Sequence, residues 1–318
     1  MFDNFELAII GVIIICLIAI IYFTRPSRIL FEPRHVTIPS EITLDAKTVK
    51  EYQDNINSWI SRLDKTDEFG QLKPSCNYSI KNGKRFRAII ALEIARINTK
   101  KQFFRATTDY SNLALAIEYI HNSSLIIDDM DYFDDDDYRR GELSTHKKFG
   151  VAVAHMTALV LLVSAFQAMS RQIDTCDKHD IAAYLNFYIN SQLQNTAIGQ
   201  IQDMTISNIR TVINNKTATL FEIATVCAWL LSGGSKKSIP QVKEFGTCFA
   251  YVLQLTDDIN DMEKDLEIGH TNFANQNGLD KTFEEIKVNV DKIGKLASKL
   301  ELESNIWSEL ITILMKTI

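Results

Sequence analysis

Near the middle of the chain, Asp128 to Asp137 read DDMDYFDDDD, and a second acidic cluster, Asp257 to Asp261, reads DDIND. Each follows an apolar run with helical spacing. In the second cluster Asp257 and Asp261 lie four residues apart and Gln254 one turn earlier, so on a helix two carboxylates and a carboxamide share a face. Carboxylates crowded beside apolar turns repel one another, and a hard divalent cation with oxygen ligands, Mg²⁺ above all, relieves that repulsion. The competing reading is a pair of solvated helix ends carrying surplus charge. Two such clusters in one chain weigh against it.

Basic residues able to meet the other side of a phosphate occur at Gly83-Lys84-Arg85-Phe86-Arg87, at Arg139-Arg140 directly after the first acidic run, and at Lys216-Thr217. Carboxylate-held Mg²⁺ with convergent Arg and Lys is the donor set that grips a diphosphate, because the metal bridges protein and phosphate oxygens while arginine takes them bidentately. Arg139-Arg140 would serve equally to neutralise the aspartates beside it.

The elements that must position these groups read as helices. The five prolines stand at 26, 33, 39, 74 and 240, so nothing breaks a helix between Ser75 and Ile239. From Leu113 to Ile127 apolar residues recur at 113, 116, 117, 120 and 127 with the small Ser124 on the same stripe, and Ala152 to Met169 is apolar nearly all round. There is no 20 to 50 residue repeat, no Gly-x-Gly-x-x-Gly and no alternating strand pattern of useful length. With 318 residues, 46% hydrophobic and 23% charged, the chain can bury a sizeable core. An all-α domain over residues 46–318 is the simplest account.

Charge narrows the partners. The net charge is −6, and the seven aspartates of Asp128 to Asp137 outweigh it, leaving +1 elsewhere (−6 + 7). Without a basic footprint, nucleic acid is not an expected partner. Five widely spaced cysteines, none in C-x-x-C, argue against a disulfide framework and a zinc site. Leu7 to Phe23 carry no charge and as a helix would span about 25 Å, the short limit for a bilayer. Asp3 and Glu6 precede that run and Arg25 and Arg28 follow it, which disfavours a cleaved signal and puts the downstream domain in the cytosol. Residues 1–24 are therefore expected to form one N-terminal transmembrane anchor and 25–45, with three prolines, a tether.

The motifs GKRFR, EYIHNSSLIIDDMDYFDDDDYRRGELSTHKKFG, KTATLFE and QLTDDINDMEKD, in collinear order from about residue 80 to 275, resemble the trans-isoprenyl diphosphate synthases, the farnesyl, geranylgeranyl and longer polyprenyl diphosphate synthases. The resemblance implies the isoprenoid synthase fold, a single large helical bundle around a central active-site cavity, acting as a homodimer on isopentenyl diphosphate and allylic diphosphates with three Mg²⁺. It implies Asp128, Asp129 and Asp134 as one metal motif and Asp257, Asp258 and Asp261 as the other. Arg139, Lys216, Thr217 and Gln254 would meet the allylic diphosphate and act in catalysis, and Lys84, Arg85, Arg87, His121 and Arg140 would hold isopentenyl diphosphate. Helix geometry alone groups Asp128 with Asp131 and Asp135, so the family pattern requires the chain to leave the helix near Tyr132.

In such enzymes, product length follows how far the growing tail runs below the first motif. Ser123 and Ser124, one turn before Asp128 on the tail side, are small and leave the shaft open for a twenty-carbon product; close packing alone would also select small residues there. Tyr119, Ile120 or a residue of Val160 to Phe166 would form the floor. A farnesyl or longer polyprenyl synthase is the alternative. The sequence departs from the family pattern at Asn82, Ala88, Ala158-Leu159, Leu253 and His270, the last removing a phosphate contact that Lys264 would have to supply. A terpene cyclase would carry Asn, Ser or Thr, and Glu in its second metal motif, unlike DDIND. A membrane-anchored scaffold or regulatory subunit would leave GKR, RRG and KT unexplained.

Overall fold

The computed structural model describes residues 46–63, 69–101, 109–175, 179–205, 208–267 and 269–318, and the expected anchor and tether lie outside them. The described residues belong to one compact unit, Glu41–Ile318. It is built from α1 (Val49–Arg62), α2 (Lys73–Ile80), α3 (Phe86–Lys101), α4 (Ser111–Asp128), α5 (Val151–Asp174), α6 (His179–Thr205), α7 (Thr219–Leu231), α8 (Ile239–Asn260), α9 (Leu279–Lys299) and α10 (Asn305–Met315). Pro74 and Pro240 both sit in the first turn of their helices, where the missing N–H costs nothing.

The core is formed by α3, α4 and α7, each buried nearly all round. The α4 helix makes its broadest contact with α5, and α7 packs on α3, α6 and α8. Buried polar groups tie the shell to this core. Glu93 on α3 accepts from Tyr52 on α1 at 2.7 Å, from Arg96 at 2.5 Å and from Ser304 before α10. Gln172 on α5 donates to the carbonyl of Asp109 and accepts from the backbone of Leu113, fixing the start of α4.

Two local features depart from uninterrupted helix. A two-residue antiparallel hairpin pairs β1 (Tyr138–Arg139) with β2 (Glu142–Leu143), too short for its alternation to show in sequence. Before α7, residues Ile213–Ala218 form a π-helical turn. Both carry residues of the candidate site.

Candidate active site

The first acidic cluster begins where α4 stops. The helix ends at Asp128, not near Tyr132, and Asp129 caps it by donating its N–H to the carbonyl of Leu125. The chain then turns back, the N–H of Asp134 donating to the carbonyl of Asp128 at 3.0 Å. This closure returns Asp134 to the neighbourhood of Asp128, the pairing that continued helix would forbid. Burial pushes the Asp128 carboxyl up to about 6, with the Asp134 charge adding and Lys216 opposing. Asp129 turns inward against Arg139, which also reaches Asp136 at 2.9 Å. Arg139 thus does what neutralisation of the acidic run requires, while still lining the cavity.

The opposite wall is the C-terminal end of α8. Asp257 is pushed up to about 6 by burial and by Asp261, against Lys84 and Arg87. Asp258 is nearly inaccessible, its Oδ1 accepting from Gln254 and its Oδ2 from the N–H of Phe273, both at 2.9 Å. Asp128 and Asp257 thus line the cavity from its two walls, with the charges of Asp134 and Asp261 acting on them, while Asp129 and Asp258 are taken up by protein partners. Among the described residues no group of three His, Cys, Asp or Glu could by itself hold a metal ion. Two carboxylates per wall suit Mg²⁺, which takes one or two carboxylates and completes its octahedron with water and phosphate oxygens.

Lys216 and Thr217 sit on the π turn, a distortion that changes which way successive side chains face. The turn fits because α6 passes it at Gly199, where a Cβ would lie 2.4 Å from the Lys216 nitrogen. Lys216 pairs with Asp203 of α6 at 2.6 Å. Burial works against its charge, but Asp128, Asp203 and Asp134 together hold its pKa above the ordinary lysine value. Thr217 donates to Gln254 at 2.9 Å, and Gln254 donates on to Asp258.

A second basic group lines the same cavity. Arg87 lies over the Phe221 ring and 3.3 Å from Nε2 of His121, and burial lowers its pKa to about 10. Burial, with Arg87 and Arg140 beside it, holds His121 well below the usual imidazole value, so it is neutral at pH 7. Arg140, at φ 56° in the hairpin turn, donates to Asn122 at 3.1 Å. Lys84 lines this side as well. Arg85, expected to meet a diphosphate, lines the cavity too, but its guanidinium is engaged by protein: it pairs with the buried Glu118 at 2.7 Å and donates to Asn57 and to the carbonyls of Ile80 and Lys81.

Below the charged mouth the cavity, about 830 Å³ in all, becomes apolar, lined by Ile120, Ile127, Leu162, Leu193, Ala197 and Leu220. Ser123 and Ser124 line it too, with hydroxyls turned onto the carbonyls of Ala158 and His121. Of the floor candidates, Ile120 and Leu162 reach the cavity. Lys264 lies 3.7 Å from Asp136, whereas His270 faces Asp265 at 3.6 Å.

The polyprenyl synthetase family profile matches residues 70–274. Over 96% of its length, and 96% of the relative's, the chain is 31% identical to the trans-prenyltransferase of African swine fever virus, strain Badajoz 1971 Vero-adapted. The chain belongs to the polyprenyl synthetase family. Geranylgeranyl pyrophosphate synthase 4 of Arabidopsis thaliana is 28% identical over 70% of this chain and 61% of its own. The geranyltransferase structure from Legionella pneumophila covers 85% of this chain and 95% of its own with a TM-score of 0.69 at 20% identity, a likeness of fold.

Within this candidate site, sequence reasoning missed Glu118, Asp136, Gln200 and Asp203. Glu118 left a signal, a lone charge inside the apolar run of α4 that burial obliges to find a cation. Asp203 left little, because one acid on a mixed helix looks like solvated surface until Lys216 is brought to it by folding.

Proposed function

We propose that this trans-prenyltransferase condenses isopentenyl diphosphate with dimethylallyl, geranyl or farnesyl diphosphate and makes mainly the twenty-carbon geranylgeranyl diphosphate. The observation that carries the reading is one cavity with two kinds of wall: carboxylates, arginines and lysines at the mouth, and an apolar shaft beneath that Ser123 and Ser124 leave open. Mg²⁺, three ions in the family pattern, would be held by Asp128 and Asp134 on one wall and Asp257 and Asp261 on the other, with Asp129 and Asp258 behind them. When bound it supplies charge withdrawal from the leaving diphosphate.

The chain's own groups do the rest. Lys216 and Arg139 face the allylic diphosphate and offset the charge that grows as its C–O bond breaks, the electron pair leaving with the oxygen. Thr217 and Gln254, locked in one hydrogen-bonded line, present fixed dipoles to the allylic cation. Lys84, Arg87, Arg140 and neutral His121 hold isopentenyl diphosphate, whose double bond attacks the cation. A proton then leaves to the released pyrophosphate. The apolar shaft excludes water that would trap the cation.

The residue 7–23 run would anchor the enzyme with its catalytic domain in the cytosol; the relative supports a viral protein, for which we propose a host membrane such as the endoplasmic reticulum. A homodimer is supported by the exposed apolar stripe Met156, Leu159, Val163 and Phe166 on α5. The test is to incubate the detergent-solubilised chain with Mg²⁺, isopentenyl diphosphate and each primer, and to read product length by mass spectrometry. A twenty-carbon product, reduced at least about 100-fold in Asp128→Ala and Asp257→Ala, is expected. No elongation of any primer by folded protein would sink the reading.

A further inference from the structure

Between the end of α4 and the hairpin, the chain has to hold Asp134 close to Asp128 although their charges repel. Backbone hydrogen bonds supply the turn: the N–H groups of Phe133 and Asp135 donate to the carbonyl of Met130 at 2.9 and 3.0 Å, and Asp135 sits in the left-handed region at φ 48°. The far end of this loop is clamped by Lys147, which reaches Asp137 at 2.8 Å and Asp135 at 3.3 Å, and by the N–H of Ser144, which donates to the Asp137 carbonyl. The near end, Met130 to Asp134, has a single side-chain hydrogen bond to another element among the described residues. It joins the hydroxyl of Tyr132 to Nε2 of His155 on α5, at 2.5 Å.

His155 is itself aimed. Its Nδ1 lies 3.1 Å from the carbonyl oxygen of Val151, one turn earlier on α5. A carbonyl only accepts, so in the neutral ring Nδ1 holds the hydrogen and Nε2 offers a lone pair to the Tyr132 O–H. The two rings also stack, with centroids 5.7 Å apart and planes 15° from parallel, and Phe133 packs edge to face with Tyr132 at 4.9 Å. Tyr132 is 44% exposed, and a tyrosine so open to water would keep its rotamer freedom without such ties. Hydroxyl, stack and edge contact together select one rotamer, two residues before Asp134.

We infer that Tyr132 and His155 are positioning residues for the first acidic wall, pinning its loop to α5 so that Asp134 stands near Asp128 before a cation arrives. This rests on the reading of these carboxylates as Mg²⁺ ligands. A group that orients a ligand from behind lowers the cost of assembling the site, because the ligand does not have to be brought in against repulsion when the metal binds. The hydrogen bond carries the effect: an acceptor at position 155 is what Tyr132 requires, and imidazole is one of several that would serve. Neither side chain touches substrate in this arrangement.

The test titrates full-length protein with Mn²⁺ in the presence of inorganic pyrophosphate, reads free Mn²⁺ by electron paramagnetic resonance, and measures the Tm of each unliganded protein. Loss of one such hydrogen bond should raise the Kd about fivefold in Tyr132→Phe and in His155→Leu, with Tm unchanged. The double variant should bind no more weakly than either single one, since both remove the same interaction. His155→Gln, whose carboxamide oxygen can accept from Tyr132, should stay within about twofold of wild type. A Kd within about twofold of wild type in folded Tyr132→Phe or His155→Leu would overturn the inference, as would losses that add in the double variant or that His155→Gln fails to rescue. The readout needs no elongation, so it fails separately from the prenyltransferase reading. Wild type that binds no Mn²⁺ with pyrophosphate would overturn the metal reading and this inference with it.

Discussion

At the scale of single residues the site is built from groups held against their preference. Asp128, Asp257 and Asp258 titrate near 6 because burial disfavours their charge. Their unfolded value is about 3.9. A carboxyl whose folded pKa is raised holds its proton longer in the native state, so its stabilising contribution is full below about pH 4 and is lost as pH rises through 6. Replacing Asp128 or Asp257 with Asn should therefore raise the Tm of the metal-free protein at pH 7.5 by several degrees and change it little at pH 4, measured by scanning calorimetry. With Mg²⁺ and diphosphate present the order should reverse, since a metal needs ionised ligands. Arg85 and Glu118, 0% and 2% exposed at their side chains, form a different kind of pair. Arg85→Met should cost about 3–5 kcal/mol in urea unfolding by stranding a buried carboxylate, and adding Glu118→Leu should recover much of it. An Arg85→Met variant of unchanged stability with a sharply raised KM for isopentenyl diphosphate would instead restore Arg85 to the diphosphate contacts.

Elements decide which of these residues meet, and here sequence legibility was uneven. The helical character of the chain and the facing of Gln254 with the second acidic cluster follow from 3.6-residue periodicity, the tail-side position of Ser123 and Ser124 only from the family resemblance, and the structure bears the helices out. What periodicity could not show is where it fails. The α4 helix stops at Asp128, a full turn before Tyr132, because the Asp134 N–H takes the Asp128 carbonyl. The π turn over Ile213–Ala218 left no trace either, since it depends on Gly199 of a separate helix. A helix-scale prediction follows for chain length. Ser124 is less enclosed than Ser123, whose hydroxyl is tied to the Ala158 carbonyl of α5. Ser124→Phe should fill the shaft one turn below Asp128 and shift the product from twenty to fifteen carbons or fewer without loss of condensation. Leu162→Ala, deeper on α5, should lengthen it. Both are read by mass spectrometry, and an unchanged product in both would mean the tail takes another path.

For the whole molecule the open question is what covers α5. It is the one described helix long and apolar enough to cross a membrane. Its inner face forbids that: Ala154, Ala158, Leu161 and Ala165 are buried, its broadest contact is with α4, and Leu162 lines the cavity. Removing it to a bilayer would dismantle the site. Its outer face is another matter, with Met156, Leu159, Val163 and Phe166 exposed in one stripe at spacings of three and four, and Ile198 and Ile201 exposed on α6. Contiguous exposed apolar surface of this kind marks an interaction site. A second copy, meeting the same stripe across a two-fold axis, would satisfy it with no other partner. Leu159→Glu and Val163→Glu together should then turn a dimer into a monomer in analytical ultracentrifugation. Because α5 also walls the shaft, the monomer should lose product-length fidelity before it loses condensation. Wild type that sediments as a monomer at micromolar concentration would show that the stripe serves some other contact.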